Sequence, residues 1–289
     1  MFRSLLATLL LFSFAAFAIT EPGAIAQTGT LQEVISQAAP TPIETTTTST
    51  PAETSPSTSA APATTPVAPT TTTTQAPEPE LGPNETLIAT ATDEVNILVA
   101  YDNPDGYIIP LPFLVPNPHQ FGGPLTLRVT EGSMEDEWVK VALPVRPNGQ
   151  EAWIPTENYV LSTTTIHAQV DLSNTSVKVF DDDELIVETQ TAIGSPATPT
   201  PLGTFYVAAV RENPPEESFL GPYALVLSGF SETLDTFDGG IPVIAIHGTN
   251  TPDGELGHAV SNGCLRVPND VIQVLAEHVP PGAPVVISG

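Results

Sequence analysis

The sequence predicts a mainly β protein whose folded part begins near Glu85. Short runs of alternating apolar and polar residues recur along residues 85–289, and Asn-Gly or Pro-rich stretches separate them. One stretch, from about Asp270 to His278, instead has the apolar spacing of an amphipathic helix. These observations favour a β-rich fold with a single packed helix.

Residues 1–26 have the features of a signal peptide. Arg3 provides a positive start, Leu5 to Ile19 is apolar, and Ala24-Ile25-Ala26 is a small-residue cleavage site. The apolar run is shorter than the roughly 20 residues that a membrane span needs. We expect an exported protein, with an uncleaved membrane anchor as the alternative.

Residues 27–84 are rich in Thr and Pro, including five consecutive threonines from Thr70 to Thr74. Such a composition cannot bury enough apolar surface to offset the entropy of ordering, and its prolines favour extended polyproline II. We therefore expect a disordered, semi-extended stalk that carries the folded part.

The chain is strongly acidic, with 33 Asp and Glu against 7 Lys and Arg, which gives a formal net charge of −26. This charge repels nucleic acid backbones and anionic lipid headgroups. We expect no nucleic acid partner, and contact with a membrane only through an uncleaved anchor.

Residues 85–165 are predicted to form a small SH3-like β domain. Its expected strands include Leu125–Val129, Trp138–Leu143 and Glu151–Pro155. Asn148-Gly149 marks the turn between the last two. Trp138 and Trp153 are predicted to lie in the barrel core, with stacking on a ligand as the alternative.

Residues 166–289 are predicted to form a second β-rich domain. Its expected strands are Ile166–Leu172, Val177–Phe180, Leu185–Val187, Thr204–Val210, Tyr223–Leu227, Val243–His247 and Val285–Ser288. Asn269 is the expected N-cap of the helix. The apolar face of the helix consists of Val271, Ile272, Leu275, Ala276 and Val279.

The candidate chemistry lies in His247 and in Cys264, the single cysteine of the chain. An imidazole can generate the reactive thiolate, and Gly263 leaves backbone amides free to face a developing oxyanion. Two other interpretations stay open from the residues alone. Cys264 could be a buried core thiol, or it could bind zinc with His247 and His258.

The same segment resembles the signature of the L,D-transpeptidases, the YkuD-type catalytic domain. The matching residues are His247-Gly248-Thr249 and Ser261-Asn262-Gly263-Cys264-Leu265-Arg266, with Thr198 to Phe205 upstream and Gly282 to Ile287 downstream. The resemblance covers about residues 166–289. Many relatives have His where this chain has Asn262, which affects only the expected tuning of the substrate loop. Residues 143–149 are similar to a lead-in found in actinobacterial relatives.

The resemblance implies that Cys264 is the nucleophile, that His247 is its base and that the Gly248 carbonyl orients the imidazole. The residues that it places at the substrate or oxyanion site are Ser261, Asn262, Gly263, Arg266 and Tyr223. Arg266 is expected either to meet a substrate carboxylate or to brace the loop against nearby acids. Ser261 is expected mainly to bond within the loop, Tyr223 is more often core than contact, and His258 is expected to be a bystander.

The implied substrates are peptidoglycan stem peptides, outside the cytoplasm at the cell wall or in a periplasm-like space. Cys264 would take the acyl group of a tetrapeptide stem, release D-alanine and pass the acyl group to an amine of a neighbouring stem, giving a 3→3 cross-link without a cofactor or metal. The implied inhibitors are carbapenems. The alternatives are an L,D-carboxypeptidase and a catalytically idle cell-wall-binding module.

Overall fold

The structure is a computed structural model that describes residues 81–289. The predicted signal peptide and nearly all of the predicted stalk therefore lie outside the described residues. Within the described range, no helix has both the length and the apolar character needed to cross a bilayer.

The first part of the described chain forms a five-stranded antiparallel sheet in the order β4-β3-β2-β1-β5. Its strands are β1 (Thr86–Ala91), β2 (Thr126–Glu131), β3 (Trp138–Ala142), β4 (Glu151–Pro155) and β5 (Tyr159–Thr164). The three strands predicted here are confirmed within one or two residues at their ends. The SH3-like assignment stays a prediction.

The core assignment of the two tryptophans is wrong. Trp138 and Trp153 are only half-buried, whereas their neighbours Val139 and Ile154 are fully buried. Successive side chains of a strand point to opposite faces, so burying the aliphatic set places the tryptophans on the other face. There Trp138 packs edge-on against Tyr101, with ring centroids 5.0 Å apart.

The second part contains an eight-stranded mixed sheet in the order β14-β12-β11-β10-β15-β6-β7-β8 and a two-stranded sheet of β9 and β13. The strands are β6 (Ile166–Asp171), β7 (Ser176–Asp181), β8 (Glu184–Gln190), β9 (Ile193–Gly194), β10 (Gly203–Glu212), β11 (Tyr223–Phe230), β12 (Val243–Gly248), β13 (Ala259–Ser261), β14 (Leu265–Val267) and β15 (Pro284–Ser288). Every strand predicted for this part is present. Within the large sheet, the pairs β12–β14 and β15–β6 are parallel.

Residues Pro215–Leu220 form a 3₁₀ segment, α1 is a single turn at Pro252–Glu255, and α2 spans Asn269–His278. α2 packs against the sheet through the buried side chains of Ile272 and Leu275. The predicted mainly β fold with one packed helix is confirmed for residues 81–289.

The predicted N-cap of α2 is wrong by one residue. Pro268 holds the cap position, and no side chain caps the helix. Asn269 lies inside the first turn, where its Nδ2 donates to Asn250 Oδ1 at 3.1 Å. The proline fixes an extended backbone ahead of the helix, which frees the Asn269 side chain for another contact.

The two large sheets share apolar contacts. Tyr206 and Ala208 of β10 are buried in the core of the first sheet together with residues such as Leu127 and Val141. The chain leaves the first sheet at Thr164 and enters the second at Ile166, which is the predicted domain boundary. β10 nevertheless contributes side chains to the cores of both sheets. The first sheet is therefore packed directly on the sheet that carries the candidate site.

Candidate active site

His247 lies near the end of β12, and its side chain is buried with 4% relative exposure. Its cross-strand neighbours are Ala224 of β11 and Arg266 of β14. Residues directly opposite one another share a face of the sheet, so the imidazole and the Arg266 side chain lie on the same face. The imidazole Nδ1 lies 2.7 Å from the carbonyl oxygen of Gly248.

The environment of His247 favours a neutral imidazole. Burial lowers the pKa of His247 from its ordinary value of 6.5, although the bond to the Gly248 carbonyl acts in the opposite direction. The nearby positive charge of Arg266 also lowers this pKa, whereas Glu255 and a hydrogen bond to the Leu220 backbone raise it. A neutral ring that donates from Nδ1 leaves Nε2 free to accept a proton, as a general base requires.

Cys264 directly precedes β14, which runs parallel to β12. Extending the register by one residue places Cys264 beside Ala245, two residues before His247. With strands about 4.8 Å apart and a rise of about 3.3 Å per residue, the Cα atoms of Cys264 and His247 are about 8 Å apart. The parallel pairing thus brings together the two residues predicted to do the chemistry.

Burial raises the pKa of the Cys264 thiol, while a hydrogen bond from the Ala245 amide and the charge of Arg266 act to lower it. The thiol makes a long hydrogen bond, at 4.0 Å, to the carbonyl oxygen of Val243, which lies at the start of β12 and four residues before His247. Because the thiol is not poised as a thiolate, deprotonation depends on a base. Catalytic hydrogen bonds are often loose without substrate and tighten when it binds.

The turn before Cys264 is held by Ser261. Ser261 Oγ donates to the Cys264 carbonyl oxygen at 2.6 Å and accepts from the Gly263 amide at 3.1 Å. Gly263 has φ +113°, a conformation that disfavours residues with a Cβ. Ser261 is itself buried and bonds locally, as expected. The exposed Asn262 lies at the tip of the turn.

The segment before β10 fixes the same turn from the other side. Thr200 Oγ1 donates to the Gly263 carbonyl oxygen at 2.9 Å and accepts from the Gly194 amide at 2.9 Å. Thr198 Oγ1 donates to the Ser261 carbonyl oxygen at 3.1 Å. Both threonines belong to the segment from Thr198 to Phe205 that matches the family signature. The structure shows that this segment braces the cysteine turn.

Arg266 braces the loop that connects β12 to β13. Its Nη1 lies 2.6 Å from Glu255 Oε1, and Thr249 Oγ1 donates to Glu255 Oε2 at 2.5 Å. Burial acts to raise the pKa of Glu255, but hydrogen bonds from Thr249 and Thr251 and the Arg266 charge outweigh it and lower that pKa. Of the two roles expected for Arg266, the structure shows the one in which its side chain braces the loop against an acidic residue, here Glu255. The Arg266 Nε is buried without a hydrogen-bond partner among the described residues.

Gly248 lies in a close backbone contact that no larger residue fits. A Cβ at this position would overlap Asn269 Oδ1 and would lie 2.9 Å from the Cα of Gly221. The Asn269 Oδ1 atom, buried without a hydrogen-bond partner in the described part of the chain, faces this pair of glycines. The tight packing of Gly248 fixes the carbonyl group that holds His247.

Tyr223 does not face the site in the way predicted for a substrate contact. Ala224 pairs with His247, so alternation along β11 turns Tyr223 to the opposite face of the sheet, with Leu225. Tyr223 packs there against the core that α2 covers. Its role is therefore the core alternative.

A narrow cavity of about 20 Å³ adjoins Cys264. It is lined by Cys264 and Asn262 on one side and by residues of the 231–242 loop on the other, namely Ser231, Leu234, Phe237 and Pro242. The zinc alternative finds no support in residues 81–289, where no three His, Cys, Asp or Glu side chains are grouped as a metal site requires. His258 is exposed in the connecting loop.

Comparisons with known proteins match the second part of the chain. The family model of the L,D-transpeptidase catalytic domain, YkuD, matches residues 165–287. The YkuD protein of Bacillus licheniformis, named as an L,D-transpeptidase, is 31% identical over 119 residues, which are 41% of this chain and 63% of that protein. The protein of the same name from Bacillus subtilis is 29% identical over 126 residues, 44% of this chain and 68% of its own length.

Among solved structures, an L,D-transpeptidase from Mycobacterium smegmatis aligns with 70% of this chain and 99% of its own, at 15% identity and a TM-score of 0.37. The catalytic domain of the E. faecium L,D-transpeptidase acylated by ertapenem aligns with 43% of this chain and 96% of its own, at 26% identity and a TM-score of 0.32. This chain spans less than two thirds of the first curated relative. The resemblance expected from the His247 and Cys264 motifs is confirmed, since residues 165–287 match the family model of the YkuD L,D-transpeptidase catalytic domain.

Proposed function

We propose that this protein is a peptidoglycan L,D-transpeptidase in which Cys264 is the nucleophile and His247 is the base. One observation carries the proposal. The strand register places the only cysteine of the chain on the same face as His247, with Cα atoms about 8 Å apart, and the imidazole Nδ1 is held by the Gly248 carbonyl at 2.7 Å. This arrangement supplies a nucleophile, a base and a group that orients the base, which is the general requirement for covalent acyl transfer.

In the first step, His247 Nε2 takes the thiol proton and the Cys264 sulfur attacks the carbonyl carbon of the amide before the terminal D-alanine. A carbon–sulfur bond forms, and the carbonyl oxygen becomes an oxyanion. When the tetrahedral intermediate collapses, the carbon–nitrogen bond breaks and the imidazolium returns its proton to the leaving amine. D-Alanine departs, and the acyl group stays on Cys264 as a thioester.

In the second step, an amine of a neighbouring stem attacks the thioester carbonyl, and His247 accepts the amine proton. The new carbon–nitrogen bond forms as the carbon–sulfur bond breaks, and the departing sulfur recovers its proton from the imidazolium. One amide is broken and one is made, so no nucleotide is consumed. With an acceptor amine on a diamino acid at the third stem position, the product is a 3→3 cross-link.

We assign the oxyanion donor to the amide of Cys264 rather than to that of Gly263. The Gly263 amide already donates to Ser261 Oγ at 3.1 Å, so it is not free to bind a second acceptor. The Cys264 amide follows the same turn and lies on the residue that attacks. Amides of this kind stabilise a tetrahedral intermediate when they are fixed before the reaction begins.

We further propose that the enzyme acts outside the cytoplasm on cell-wall stem peptides. The proposal rests on the signal-peptide features of residues 1–26, on the Thr/Pro-rich composition of residues 27–84 and on the acidic charge, which disfavours nucleic acid as a partner. A stalk of this composition suits a catalytic domain that must reach its polymer away from the membrane.

The test is incubation of the purified protein with a disaccharide tetrapeptide, followed by mass spectrometry. A transpeptidase releases D-alanine and forms a cross-linked dimer. Release of D-alanine with a tripeptide as the only other product would indicate an L,D-carboxypeptidase. No product from a folded, reduced protein that still sediments with peptidoglycan would favour the idle wall-binding module. The matched control is Cys264→Ala.

A further inference from the structure

The turn between β3 and β4 of the first sheet contacts the segment that lines the cavity at Cys264. Asn148 Nδ2 donates to the Phe230 carbonyl oxygen at 2.8 Å, and the Phe230 amide donates to Asn148 Oδ1 at 2.9 Å. One side chain thus pairs with both backbone polar groups of a residue 82 positions away. A primary amide that uses its donor and acceptor together fixes direction as well as distance.

The Asn148 end of this contact is rigid. Leu143 and Val145, which precede the turn, are buried in the core of the first sheet. The turn is closed by the Leu143 amide, which donates to the Gln150 carbonyl at 2.8 Å. Movement of Asn148 would therefore require movement of the core on which the turn is built.

The Phe230 end leads directly into the active site. Phe230 is the last residue of β11, and its ring packs against Phe113 of the first part of the chain, with centroids 5.7 Å apart. The next residue, Ser231, donates its amide to Pro242 at 2.8 Å and so closes the 231–242 loop. Ser231 and Pro242 both line the cavity beside Cys264.

We propose that Asn148 is a positioning residue of the active site, which acts through Phe230 to set the 231–242 loop over the cavity at Cys264. The first sheet then contributes to the geometry of the active site and is not only a separate domain that precedes it in the chain. A second contact supports this role, since Arg146 Nη1 donates to the Asp235 carbonyl within the same loop at 3.4 Å. This inference rests on the proposed function, because it takes the 231–242 loop beside Cys264 as part of the surface that substrate meets at the thiol.

The test compares Asn148→Ala with Asn117→Ala. Asn117 lies in the same part of the chain and also holds backbone groups, with Nδ2 donating to Thr92 at 2.9 Å and to Val95 at 2.8 Å and Oδ1 accepting from Leu125 at 2.8 Å. None of these partners is in the 231–242 loop. Asn117→Ala therefore controls for a general loss of stability in the first sheet.

Two reactions of Cys264 are measured for each variant, acylation by a carbapenem and alkylation by iodoacetamide. Acylation requires a shaped cavity, whereas the small alkylating agent requires only an accessible, ionised thiol. For Asn148→Ala we expect acylation to slow by about tenfold, since the two hydrogen bonds to Phe230 and the one from Asn148 Nδ2 to Glu232 Oε1 are all lost. Alkylation should change by less than about twofold. Asn117→Ala should leave the ratio of the two rates at its wild-type value.

Equal acylation by wild type and Asn148→Ala would overturn the inference, as would a parallel fall in both rates. If Asn148→Ala fails to fold, the same two rates are measured for Asn148→Asp instead. It keeps the acceptor for the Phe230 amide but loses the donor that bonds the Phe230 carbonyl and, at 3.3 Å, Glu232 Oε1, so that a second carboxylate faces Glu232. We expect acylation to be at least about threefold slower for it, because one of three bonds remains and two carboxylates then face each other.

Hydrogen exchange separates failure of the inference from failure of the proposed function. If the wild-type protein alkylates normally but is never acylated by the carbapenem, the proposed function is in question. Exchange within residues 231–242 then decides the inference on its own. Faster exchange there in Asn148→Ala but not in Asn117→Ala supports it, and unchanged exchange overturns it.

Discussion

The imidazole of His247 is oriented by the carbonyl oxygen of the residue that follows it, Gly248, at 2.7 Å from Nδ1. Because the orienting group belongs to the backbone, no side-chain substitution removes it directly. Its position depends instead on the packing of Gly248 against Gly221 and Asn269. The orientation of the imidazole therefore depends on a backbone contact beside the first turn of α2.

Replacing Cys264 should abolish turnover and leave the fold intact. Cys264→Ala and Cys264→Ser both remove the sulfur, and the cysteine is only partly buried, so little packing is lost. We expect melting temperatures within about 4 °C of wild type, the shift that roughly 1 kcal/mol produces in a domain of this size. Near-normal cross-linking by either variant would refute the nucleophile. A much larger fall in melting temperature would favour the core-thiol interpretation.

His247→Ala should lower turnover by about 100-fold or more, since a positioned general base contributes that much. His258→Ala should retain most of the activity, because His258 is exposed in the loop between α1 and β13. Initial rates with the disaccharide tetrapeptide measure both variants. The opposite ranking would move the base from His247 to His258.

A carbapenem should form one covalent adduct with the protein, on Cys264. The strained lactam carbonyl resembles the scissile amide, and the amide of Cys264 can stabilise the oxyanion that forms. Intact-mass analysis of a fragment of residues 84–289 should show one added drug mass in wild type and none in Cys264→Ala. A folded, reduced wild-type protein that keeps its mass after long incubation would count against an active site of this kind.

The rate of acylation should fall on the acid side with an apparent pKa below 6.5, the ordinary value for histidine. Burial lowers the pKa of His247, so the ring stays neutral, and able to accept a proton, to a lower pH than a free imidazole does. Activity is then lost as pH falls through the lowered pKa. Single-turnover acylation over a pH series measures this limb. An acid limb centred above about pH 7 would contradict the assigned environment of His247.

Gly248→Ala should be destabilising and nearly inactive. The added methyl group overlaps Asn269 Oδ1 and cannot be accommodated without moving the backbone beside His247. Overpacking of this kind costs about 1–3 kcal/mol or more. Gly254→Ala is the matched control, since a Cβ at Gly254 meets no atom within 4 Å. Chemical denaturation and initial rates should separate the two variants, and similar behaviour would show that the contact at Gly248 is not limiting.

The sequence predicts the strands and the helix well because their signals are local. The structure has a strand where residues 166–172 alternate, and it buries Leu275 on the apolar face of α2. The lone cysteine and the His-Gly-Thr motif likewise identify the candidate chemistry. What the local pattern does not contain is strand order. That β15 lies between β6 and β10 depends on pairings between distant residues, such as Val285 with Ala168 and Ile287 with Gly203.

The incorrect or missing predictions have the same physical origin. The resemblance includes Tyr223 among the substrate-site residues, whereas the orientation of its side chain follows from the pairing of β11 with β12. Trp138 was placed by its size, although the neighbouring Val139 fills the core. Asn148 was read only as part of a turn, because its partner Phe230 is distant in sequence. The environment of each of these three residues depends on which sheet face it occupies or on which distant segment the fold places against it.

The parallel pairing of β12 with β14 has a consequence for how this site tolerates change in length. Register between the two strands, and not the length of the chain that joins them, sets the separation of His247 and Cys264. The tip of the connection, Asp253 and Gly254, is exposed and has open space beside Gly254. A short peptide inserted there adds only a small loop-closure entropy. This tip is therefore a place where a reporter sequence can be built in close to the reacting groups without moving them.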